Sequence, residues 1–290
     1  MSIQPDLSGK VYIVTGANSG IGFQAAKNFA ERGATVALVC RSKERGEQAV
    51  SELVLGAKNS NIKLYLADFS LLSSVSRVAD ELLRDYPKVD VLCNNAGGAN
   101  GTRSETADGL ETTFATNHLA GFLLTTKLLP SLTAAANSGL ARVVFTSSYG
   151  HTHSALDFND LNLAHGYSIL KAYGHSKLMN LLTAREFHRR YKDTNVVASS
   201  FHPGAVRTPI WGKGGLLTRI VGIFAYPFMV NVKQGTDTFI WLASSDEEEA
   251  IKANGRYYFK RKRAHTAKFA TDEAAEKLWN ASMKLIEPFL

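Results

Sequence analysis

Short runs of apolar residues alternate along this chain with longer segments in which apolar residues recur at helical spacing. The short runs have the length and composition of buried strands, at residues 11–15, 35–39, 63–66, 89–93, 142–146, 196–200 and 255–259. Helical periodicity covers residues 21–32, 43–55, 72–84, 106–132, 172–191 and 272–286. Strands that alternate with helices of this length pair in parallel through right-handed crossovers. The pattern therefore predicts an α/β fold with a doubly wound, seven-stranded parallel sheet and helices on both faces.

The size of the chain favours one domain. Its 290 residues, with a hydrophobic content of 45%, can bury one large core. No low-complexity or linker-like segment divides the sequence, so we expect residues 1–290 to form a single domain.

Neither end nor middle of the sequence predicts a membrane-spanning segment. Residues 1–10 are polar and lack an apolar core, so we expect no signal peptide or membrane anchor before the fold. The longest apolar run, residues 216–230, is interrupted by Arg219 and Pro227 and is too short to cross a bilayer. We therefore expect a soluble protein in the cytoplasm.

The net charge bears on the kind of ligand the protein binds, and the cysteines bear on its redox compartment and on metal binding. A net charge of +7 would suit an anionic partner, but a pocket for a phosphorylated cofactor plus one basic tail would give the same balance. We therefore do not expect nucleic-acid binding. The two cysteines, Cys40 and Cys93, lie in apolar strand-like runs without metal-ligand spacing. They are expected to be buried thiols in a reducing compartment, and no metal site is predicted.

The turn between the first strand and the first helix is rich in glycine. Its sequence is Thr15-Gly16-Ala17-Asn18-Ser19-Gly20-Ile21-Gly22. Glycines at such a turn let the backbone approach a diphosphate, to which the helix N-terminus presents free N–H groups and a positive dipole end. The residues expected to contact a dinucleotide here are Gly16, Asn18, Ser19, Gly20, Ile21 and Gly22. The alternative is a turn whose glycines serve the backbone alone.

The end of the second strand indicates which dinucleotide is bound. An acidic residue at this place would bind the ribose hydroxyls of NAD, but the sequence has Cys40-Arg41-Ser42-Lys43. The Arg41 guanidinium could stack on adenine and pair with a 2′-phosphate, and no carboxylate competes with it. We therefore predict NADP(H) as the cofactor; the alternative is that Arg41 only caps a strand end in solvent.

Tyr173 and Lys177 are the candidate acid–base pair. Residues four apart on a helix lie on one face, so the ammonium can approach the phenol. Lowering a tyrosine pKa from near 10 to about 7 requires roughly 4 kcal/mol, which a cation about 4 Å away supplies at an effective dielectric constant of about 20. We therefore expect Lys177 to lower the pKa of Tyr173. On the pentapeptide alone, a helical face that contains both residues by chance remains an alternative.

These motifs, in this order and spacing, resemble the short-chain dehydrogenase/reductase family over nearly the whole chain. Asn94-Asn95-Ala96-Gly97 closes the fourth strand, and His202-Pro203-Gly204 leads to Thr208, as in that family. The resemblance implies a Rossmann fold that exchanges hydride between a nicotinamide and a carbonyl or alcohol. The catalytic positions it implies are Asn117, Ser148, Tyr173 and Lys177. The further cofactor positions it implies are Asp68, Asn95, Ala96, Gly97, Tyr173, Lys177, Val206 and Thr208.

The choice of Ser148 over its neighbour Ser147 rests on its fit to the family's spacing from the tyrosine. Alternation along the strand would direct the two hydroxyls to opposite faces. Asn117 would lie mid-helix, where an amide is a poor helix former, so a place in a water-linked proton path to Lys177 is plausible. A solvent-facing or locally bonded amide is the alternative.

The substrate is expected to be a lipophilic aldehyde, ketone or alcohol. Residues 209–230 form an apolar stretch that in this family folds over the substrate, and it could also touch a membrane surface. Ordinary helix packing is the alternative. Asn18-Ser19-Gly20 and Val232-Lys233-Gln234-Gly235 are similar to the retinol-dehydrogenase-like branch, although that branch commonly has an N-terminal membrane anchor, which residues 1–10 do not lead us to expect here. The resemblance also implies a homo-oligomer paired through residues 106–132 and 172–191.

Two groups of residues and two other functions stay open. Lys260-Arg261-Lys262-Arg263 is expected to be a solvated basic loop, with an anionic lipid or partner site as the alternative. His151, His153 and His165 have no convincing metal spacing and are expected in the substrate loop or on the surface. Besides a carbonyl reductase or alcohol dehydrogenase, the sequence allows an NADPH-binding regulatory or scaffold protein, or a double-bond reductase or epimerase on the same scaffold.

Overall fold

A computed structural model describes residues 5–205 and 230–290 of the chain. The predicted cofactor residues Val206 and Thr208 lie outside the described residues, as does nearly all of the predicted substrate lid at 209–230.

The strands of the described chain form one sheet. They are β1 (Val11–Thr15), β2 (Thr35–Cys40), β3 (Ile62–Leu66), β4 (Val91–Asn94), β5 (Ala141–Thr146), β6 (Val196–Phe201), β7 (Tyr257–Phe259) and β8 (Lys262–Arg263). The strand order is β3-β2-β1-β4-β5-β6-β7-β8. Strands β1 to β7 pair in parallel, and the order reverses between β1 and β4. The predicted doubly wound parallel sheet is confirmed, and its crevice is expected at this switch point.

Helices cover both faces of the sheet. They are α1 (Gly20–Glu31), α2 (Lys43–Ala57), α3 (Leu72–Asp85), α4 (Thr112–Ala136), α5 (Ile169–Arg190), α6 (Val232–Ser244), α7 (Glu248–Ile251) and α8 (Asp272–Ile286). Residues of α3, α4, α5 and α8 share one buried cluster with the sheet, and residues of α1, α2 and α6 share the other. Because the strands are buried on both faces, their sequences are nearly continuous apolar runs.

The sheet has eight strands rather than the predicted seven. Strand β8 pairs antiparallel with β7, with Lys262 opposite Phe259 and Arg263 opposite Tyr258. Lys260 and Arg261 connect them at φ 52° and 57°, the left-handed backbone that a tight hairpin turn needs at both central residues. The Arg261 guanidinium is paired with Asp237 of α6. The four basic residues are exposed, as the expectation of a solvated basic loop requires, but they form a hairpin turn and a short strand rather than a loop.

The start of α4 and the presence of α6 differ from the sequence pattern. Helix α4 begins at Thr112 rather than 106, because Glu105 and Glu111 form an antiparallel bridge before it. The Glu111 carboxylate then caps the helix by accepting from the N–H groups of Thr113 and Phe114 at 2.8 and 2.7 Å. Helix α6 was not predicted, although Asn231 and Gln234 form a capping box at its start.

Among the described residues, α4 alone is long and apolar enough to cross a membrane, judged by length and composition. Most of its apolar window, 61%, is buried inside the fold. Its apolar character is therefore explained by packing against the sheet, α3 and α5.

Candidate functional site

The carboxyl ends of β1 and β4 are tied together at the switch point. The Thr15 hydroxyl accepts hydrogen bonds from the backbone N–H groups of Asn95 and Ala96, both at 2.9 Å, and donates to the Cys93 carbonyl at 3.2 Å. The Asn95 amide donates to the Thr15 carbonyl at 3.0 Å. These bonds fix the predicted Asn95-Ala96-Gly97 segment beside the glycine-rich turn.

The glycine-rich turn leaves no room for side chains at its tightest points. Gly16 and Gly20 have φ of 65° and 58°, which favours glycine. A Cβ on Gly22 would lie 2.5 Å from both the Gly16 carbonyl oxygen and the Asn95 amide nitrogen. Helix α1 starts here after Ser19, whose side chain makes no capping hydrogen bond. The turn thus has the bare backbone and uncapped helix N-terminus that fit a diphosphate.

Arg41 and Asp68 follow neighbouring strands at the same sheet edge. Arg41 is exposed directly after β2, while the Ala67 N–H, just after β3, donates to the Cys40 carbonyl at 3.0 Å. Asp68 Oδ1 accepts from the Ser70 N–H at 2.9 Å and from its hydroxyl at 2.7 Å. The structure therefore places both predicted residues at the carboxyl ends of β2 and β3, which are neighbours in the sheet.

Both cysteines are buried free thiols, as predicted. Burial raises the pKa of the Cys40 thiol to about 11, against the opposing effect of hydrogen bonds from the Ala17 and Asn18 N–H groups. Burial also raises the pKa of Cys93. Both groups are therefore neutral at physiological pH and serve packing under the turn.

Asn117 lies in a π-helical segment, Ala115–Leu119, within α4. Its Oδ1 accepts from the Gly98 N–H at 2.8 Å, and its Nδ2 donates to the Gly98 carbonyl at 2.8 Å and to the Ser176 hydroxyl at 2.9 Å. A Cβ on Gly97 would lie 2.9 Å from Asn117 Oδ1 and 3.6 Å from Lys177 Nζ. The amide therefore holds the 97–98 backbone next to the lysine.

Tyr173 and Lys177 lie together at the start of α5, but their electrostatics differ from expectation. The Lys177 ammonium lies 5.4 Å from the centroid of the Tyr173 ring and donates to the Thr146 carbonyl at 3.1 Å. Burial lowers the pKa of Lys177 to about 8. Burial raises the pKa of Tyr173, and a hydrogen bond with the Ser148 side chain only partly opposes this shift. The expected lowering of the phenol pKa is therefore not found, because desolvation outweighs the opposing hydrogen bond with Ser148.

The two serines after β5 have different partners. The Ser147 hydroxyl is buried and donates to the Lys177 carbonyl at 2.7 Å. The Ser148 side chain lies beside Tyr173 and caps a short 3₁₀ helix, Tyr149–Thr152, by accepting from the Gly150 N–H at 3.2 Å. Of the two hydroxyls, that of Ser148 is therefore the one next to the phenol.

His151 is a buried structural residue, so its predicted place in the substrate loop or on the surface is wrong. Its exposed fraction is 1%. Its Nδ1 lies 2.7 Å from the Ser148 carbonyl oxygen and its Nε2 lies 3.3 Å from the Ala267 N–H, which assigns the Nδ1–H tautomer. Burial lowers its pKa, so the ring is neutral. His153 and His165 are exposed, as expected.

A buried chain of polar side chains behind Lys177 was missed from the sequence. Asn180 Nδ2 donates to the same Thr146 carbonyl at 3.0 Å, and Asn180 also hydrogen-bonds His118. His118 Nε2 lies 2.9 Å from the hydroxyl of Ser282 on α8. Burial lowers the pKa of His118 to about 3, so it is neutral. Two features of the sequence could have indicated this chain of side chains. Asn180 follows Lys177 by three residues, which places both on one face of a helix, and His118 directly follows Asn117.

Comparison with known proteins finds a dehydrogenase family model and relatives that are named as dehydrogenases or ketoreductases. A family model described as short chain dehydrogenase matches residues 10–215. Retinol dehydrogenase 12 from Mus musculus is 39% identical over 281 residues, which cover 97% of this chain and 87% of that protein. A protein of Streptomyces sp. (strain C5), provisionally named daunorubicin C-13 ketoreductase DnrU, is 39% identical over 95% of this chain and 92% of its own. A crystal structure of an uncharacterised Mycobacterium paratuberculosis protein matches with a TM-score of 0.78 and 30% identity, covering 98% and 96% of the two chains.

Proposed function

The chain belongs to the short-chain dehydrogenase family, in its retinol-dehydrogenase-like branch, and is an oxidoreductase of alcohols or carbonyls. From this premise we propose that it is NADP(H)-dependent and interconverts a carbonyl and an alcohol on a lipophilic small molecule. The observation that carries the proposal is the cluster of Ser148, Tyr173 and Lys177 beside the Asn117-held backbone at the switch point.

The cradle fits a dinucleotide phosphate. The bare turn at Gly16 and Gly22 suits the diphosphate, and the exposed guanidinium of Arg41 suits a 2′-phosphate at the adenosine end. The residues proposed to hold the cofactor are Gly16, Asn18, Ser19, Gly20, Ile21, Gly22, Arg41, Asp68, Asn95, Ala96, Gly97, Tyr173, Lys177, Val206 and Thr208. When bound, NADP(H) supplies or accepts the hydride.

Tyr173 moves the proton. In reduction its hydroxyl protonates the carbonyl oxygen as the alcohol forms, and in oxidation it removes the hydroxyl proton. The raised pKa of Tyr173 keeps the phenol in the protonated form that donates. Ser148 stabilises the negative charge on the same oxygen, and Lys177, mostly protonated below its pKa of about 8, adds a positive charge behind the phenol.

The proposal of a lipophilic substrate is supported by apolar side chains next to the site. Tyr149, directly after Ser148, is 66% exposed, and Leu170, three residues before Tyr173, is 65% exposed. The names of two relatives, a retinol dehydrogenase and a daunorubicin ketoreductase, refer to a small-molecule alcohol and a small-molecule ketone. We also propose that the protein is cytoplasmic, that it can contact a membrane surface peripherally, and that it forms a homo-oligomer.

The test is a screen of lipophilic aldehydes, ketones and alcohols monitored by NADPH absorbance. Tyr173→Phe should lower kcat by about 10²–10⁴-fold, the usual worth of a positioned acid–base group, while NADPH binding is retained. Tyr149→Phe, which removes a hydroxyl from a neighbouring exposed tyrosine, is the matched control and should keep its activity.

Three results would contradict the proposal. Unchanged turnover in Tyr173→Phe would remove Tyr173 as the proton donor. Tight NADPH binding by the wild type, with no turnover of any compound, would instead favour a regulatory or scaffold role. Saturated products in which the carbonyl is intact would indicate double-bond reduction.

A further inference from the structure

Lys177 depends on one backbone oxygen for its position. Its side chain is buried, and within the part of the chain that the structure describes its ammonium has one hydrogen-bond acceptor, the Thr146 carbonyl at 3.1 Å. Thr146 is the last residue of β5. A buried charge with a single acceptor is sensitive to the direction of that acceptor, because a misaligned bond leaves the charge uncompensated. Any group that fixes the Thr146 carbonyl therefore also fixes the ammonium.

Asn180 donates to the same carbonyl. Its Nδ2 lies 3.0 Å from the Thr146 oxygen, and its side chain is buried. It follows Lys177 by three residues on α5, so both side chains reach the end of β5 from one face of the helix. A carbonyl oxygen has two lone pairs, and the ammonium and the amide together use both. Asn180 thus holds the carbonyl in the direction in which the ammonium meets it.

His118 on α4 orients the Asn180 amide. An asparagine can turn either its oxygen or its nitrogen toward a neighbour, and the partner at its other end selects between the two orientations. Burial lowers the pKa of His118 to about 3, and the hydrogen bond with Asn180 opposes that lowering. A bond that favours the charged ring is one in which the ring N–H donates, so the Asn180 oxygen is the acceptor. This leaves the Asn180 nitrogen to face Thr146.

Helix α8 fixes the histidine ring in turn. His118 Nε2 lies 2.9 Å from the hydroxyl of Ser282, which is fully buried. The neutral ring has one N–H, which donates to Asn180, so Nε2 accepts and the serine donates. The ring also stacks on Phe114, with 5.8 Å between the ring centroids. The hydrogen bonds therefore run in one direction, from Ser282 through His118 and Asn180 to the carbonyl that holds Lys177.

We propose that Asn180 is a positioning residue for Lys177, and that His118 and Ser282 set its orientation. The inference rests on the proposed function, in which the Lys177 ammonium acts beside Tyr173. The alternative is that the three side chains only satisfy one another as buried polar groups. The two differ in whether a change at Asn180 acts on turnover through the lysine.

The first test measures turnover in Asn180→Leu by NADPH absorbance, with the lipophilic compound that the wild type turns over fastest. Leucine has the same number and branching of side-chain heavy atoms as asparagine but forms no hydrogen bond. The variant should lower kcat about tenfold, the usual worth of one hydrogen bond, and change KM by less than about threefold, because only the direction of the ammonium is altered.

Thr183→Val is the matched control. Thr183 is equally buried on the same helix, and among the described residues its hydroxyl has no hydrogen-bond partner. Valine keeps the shape of threonine, so kcat should stay within about twofold of the wild type.

A double-mutant cycle with Lys177→Met separates positioning from a general loss of structure. If Asn180 acts through the ammonium, Asn180→Leu has no further effect once the ammonium is gone, so the double variant should keep kcat within about twofold of Lys177→Met. Equal losses in both backgrounds, or an unchanged kcat in Asn180→Leu, would overturn the inference and leave the proposed role of Lys177 intact. A fully active Lys177→Met would instead overturn the proposed function, and the inference with it.

His118 provides a rescue test. Asparagine and leucine fill the same part of the space that the ring occupies, but only asparagine keeps a donor near the position of Nδ1. His118→Leu should therefore lower kcat about tenfold, whereas His118→Asn should stay within about threefold of the wild type. Equal kcat values in these two variants would contradict the orienting role of His118.

A measurement without turnover tests the same contact. NMR titration of protein with isotope-labelled lysine gives the Lys177 pKa, and the signal is assigned by its absence in Lys177→Met. Asn180→Leu should raise the pKa of Lys177 above about 8, because the amide no longer competes with the ammonium for the Thr146 oxygen. Where thermal unfolding shows that Asn180→Leu is not folded, Ser282→Ala replaces it and should shift the pKa in the same direction by less. An unchanged pKa in the folded variant would overturn the inference.

Discussion

The two ends of the crevice are built in different ways. At the Tyr173 end, polar groups are buried and held by other parts of the protein, as Lys177 is held by the Thr146 carbonyl and Asn117 by the Gly98 backbone. At the adenosine end, Arg41 is exposed to solvent. The proposed chemistry therefore depends on preorganised groups that are costly to bury, whereas the proposed choice of cofactor depends on an exposed side chain that costs the fold little.

The largest effect is expected from Lys177→Met. Loss of the ammonium should lower kcat by about 10²–10⁴-fold, because the proton-transfer group loses its charged neighbour. The same change should stabilise the fold near neutral pH. The reason is that burial lowers the pKa of Lys177 from 10.5 to about 8, so charging this lysine in the folded state is unfavourable below that pH.

The pH dependence of the free energy of unfolding tests whether the buried charge of Lys177 destabilises the fold. Between pH values of about 8 and 10.5 the unfolded chain keeps the Lys177 proton and the folded chain does not. The contribution of Lys177 therefore makes the wild type more stable as the pH rises through this range. Denaturant unfolding should therefore show an advantage of Lys177→Met that is greatest below pH 8 and shrinks toward pH 10.5. Lys171→Met, on the same helix, is the control. A variant less stable than the wild type at neutral pH would show that the hydrogen bond to Thr146 outweighs desolvation.

The next effect separates the two neighbouring serines. Ser148→Ala should lower kcat by about 10²-fold or more, since it removes the hydroxyl that we propose stabilises charge on the reacting oxygen. Ser147→Ala should instead cost about 1 kcal/mol of stability, because its hydroxyl bonds the Lys177 carbonyl. Steady-state kinetics and chemical unfolding of both variants test this. Similar kinetic losses in the two variants would argue against the proposed role of Ser148.

A smaller effect is expected at the glycine-rich turn. Gly22→Ala places a Cβ 2.5 Å from the Gly16 carbonyl and should destabilise the protein by about 1–3 kcal/mol, as overpacking does, and weaken NADPH binding. Gly56→Ala is the matched helical control, because nothing lies within 4 Å of its added Cβ. It should stabilise α2 by about 0.5–1 kcal/mol. Unfolding curves and NADPH fluorescence titration measure both; unchanged NADPH affinity in Gly22→Ala would place the diphosphate elsewhere.

The smallest effect is expected at the adenosine end. Arg41→Ala should weaken NADPH binding about tenfold and leave NADH binding and stability almost unchanged, because only NADPH has the 2′-phosphate. Arg45→Ala removes an equivalent exposed charge from α2 and should affect both cofactors equally and weakly. An equal loss for NADPH and NADH in Arg41→Ala would contradict the proposed cofactor preference.

The sequence by itself determined the features that depend on local pattern. Apolar runs alternating with helical periodicity predicted the parallel sheet, because the apolar pattern within each strand or helix indicates which of its own residues are buried. The glycine-rich turn and the four-residue spacing of Tyr173 and Lys177 are equally local, and the structure brings both to the carboxyl edge of the sheet.

Only the tertiary structure decided the features that depend on contacts between distant residues. The direction of the Tyr173 pKa shift follows from the burial that the whole fold imposes. The Lys177–Thr146–Asn180 contacts and the burial of His151 against Ala267 join separate elements. Desolvation and long-range hydrogen bonds exist only after the chain has packed, which is why no local pattern could have predicted them.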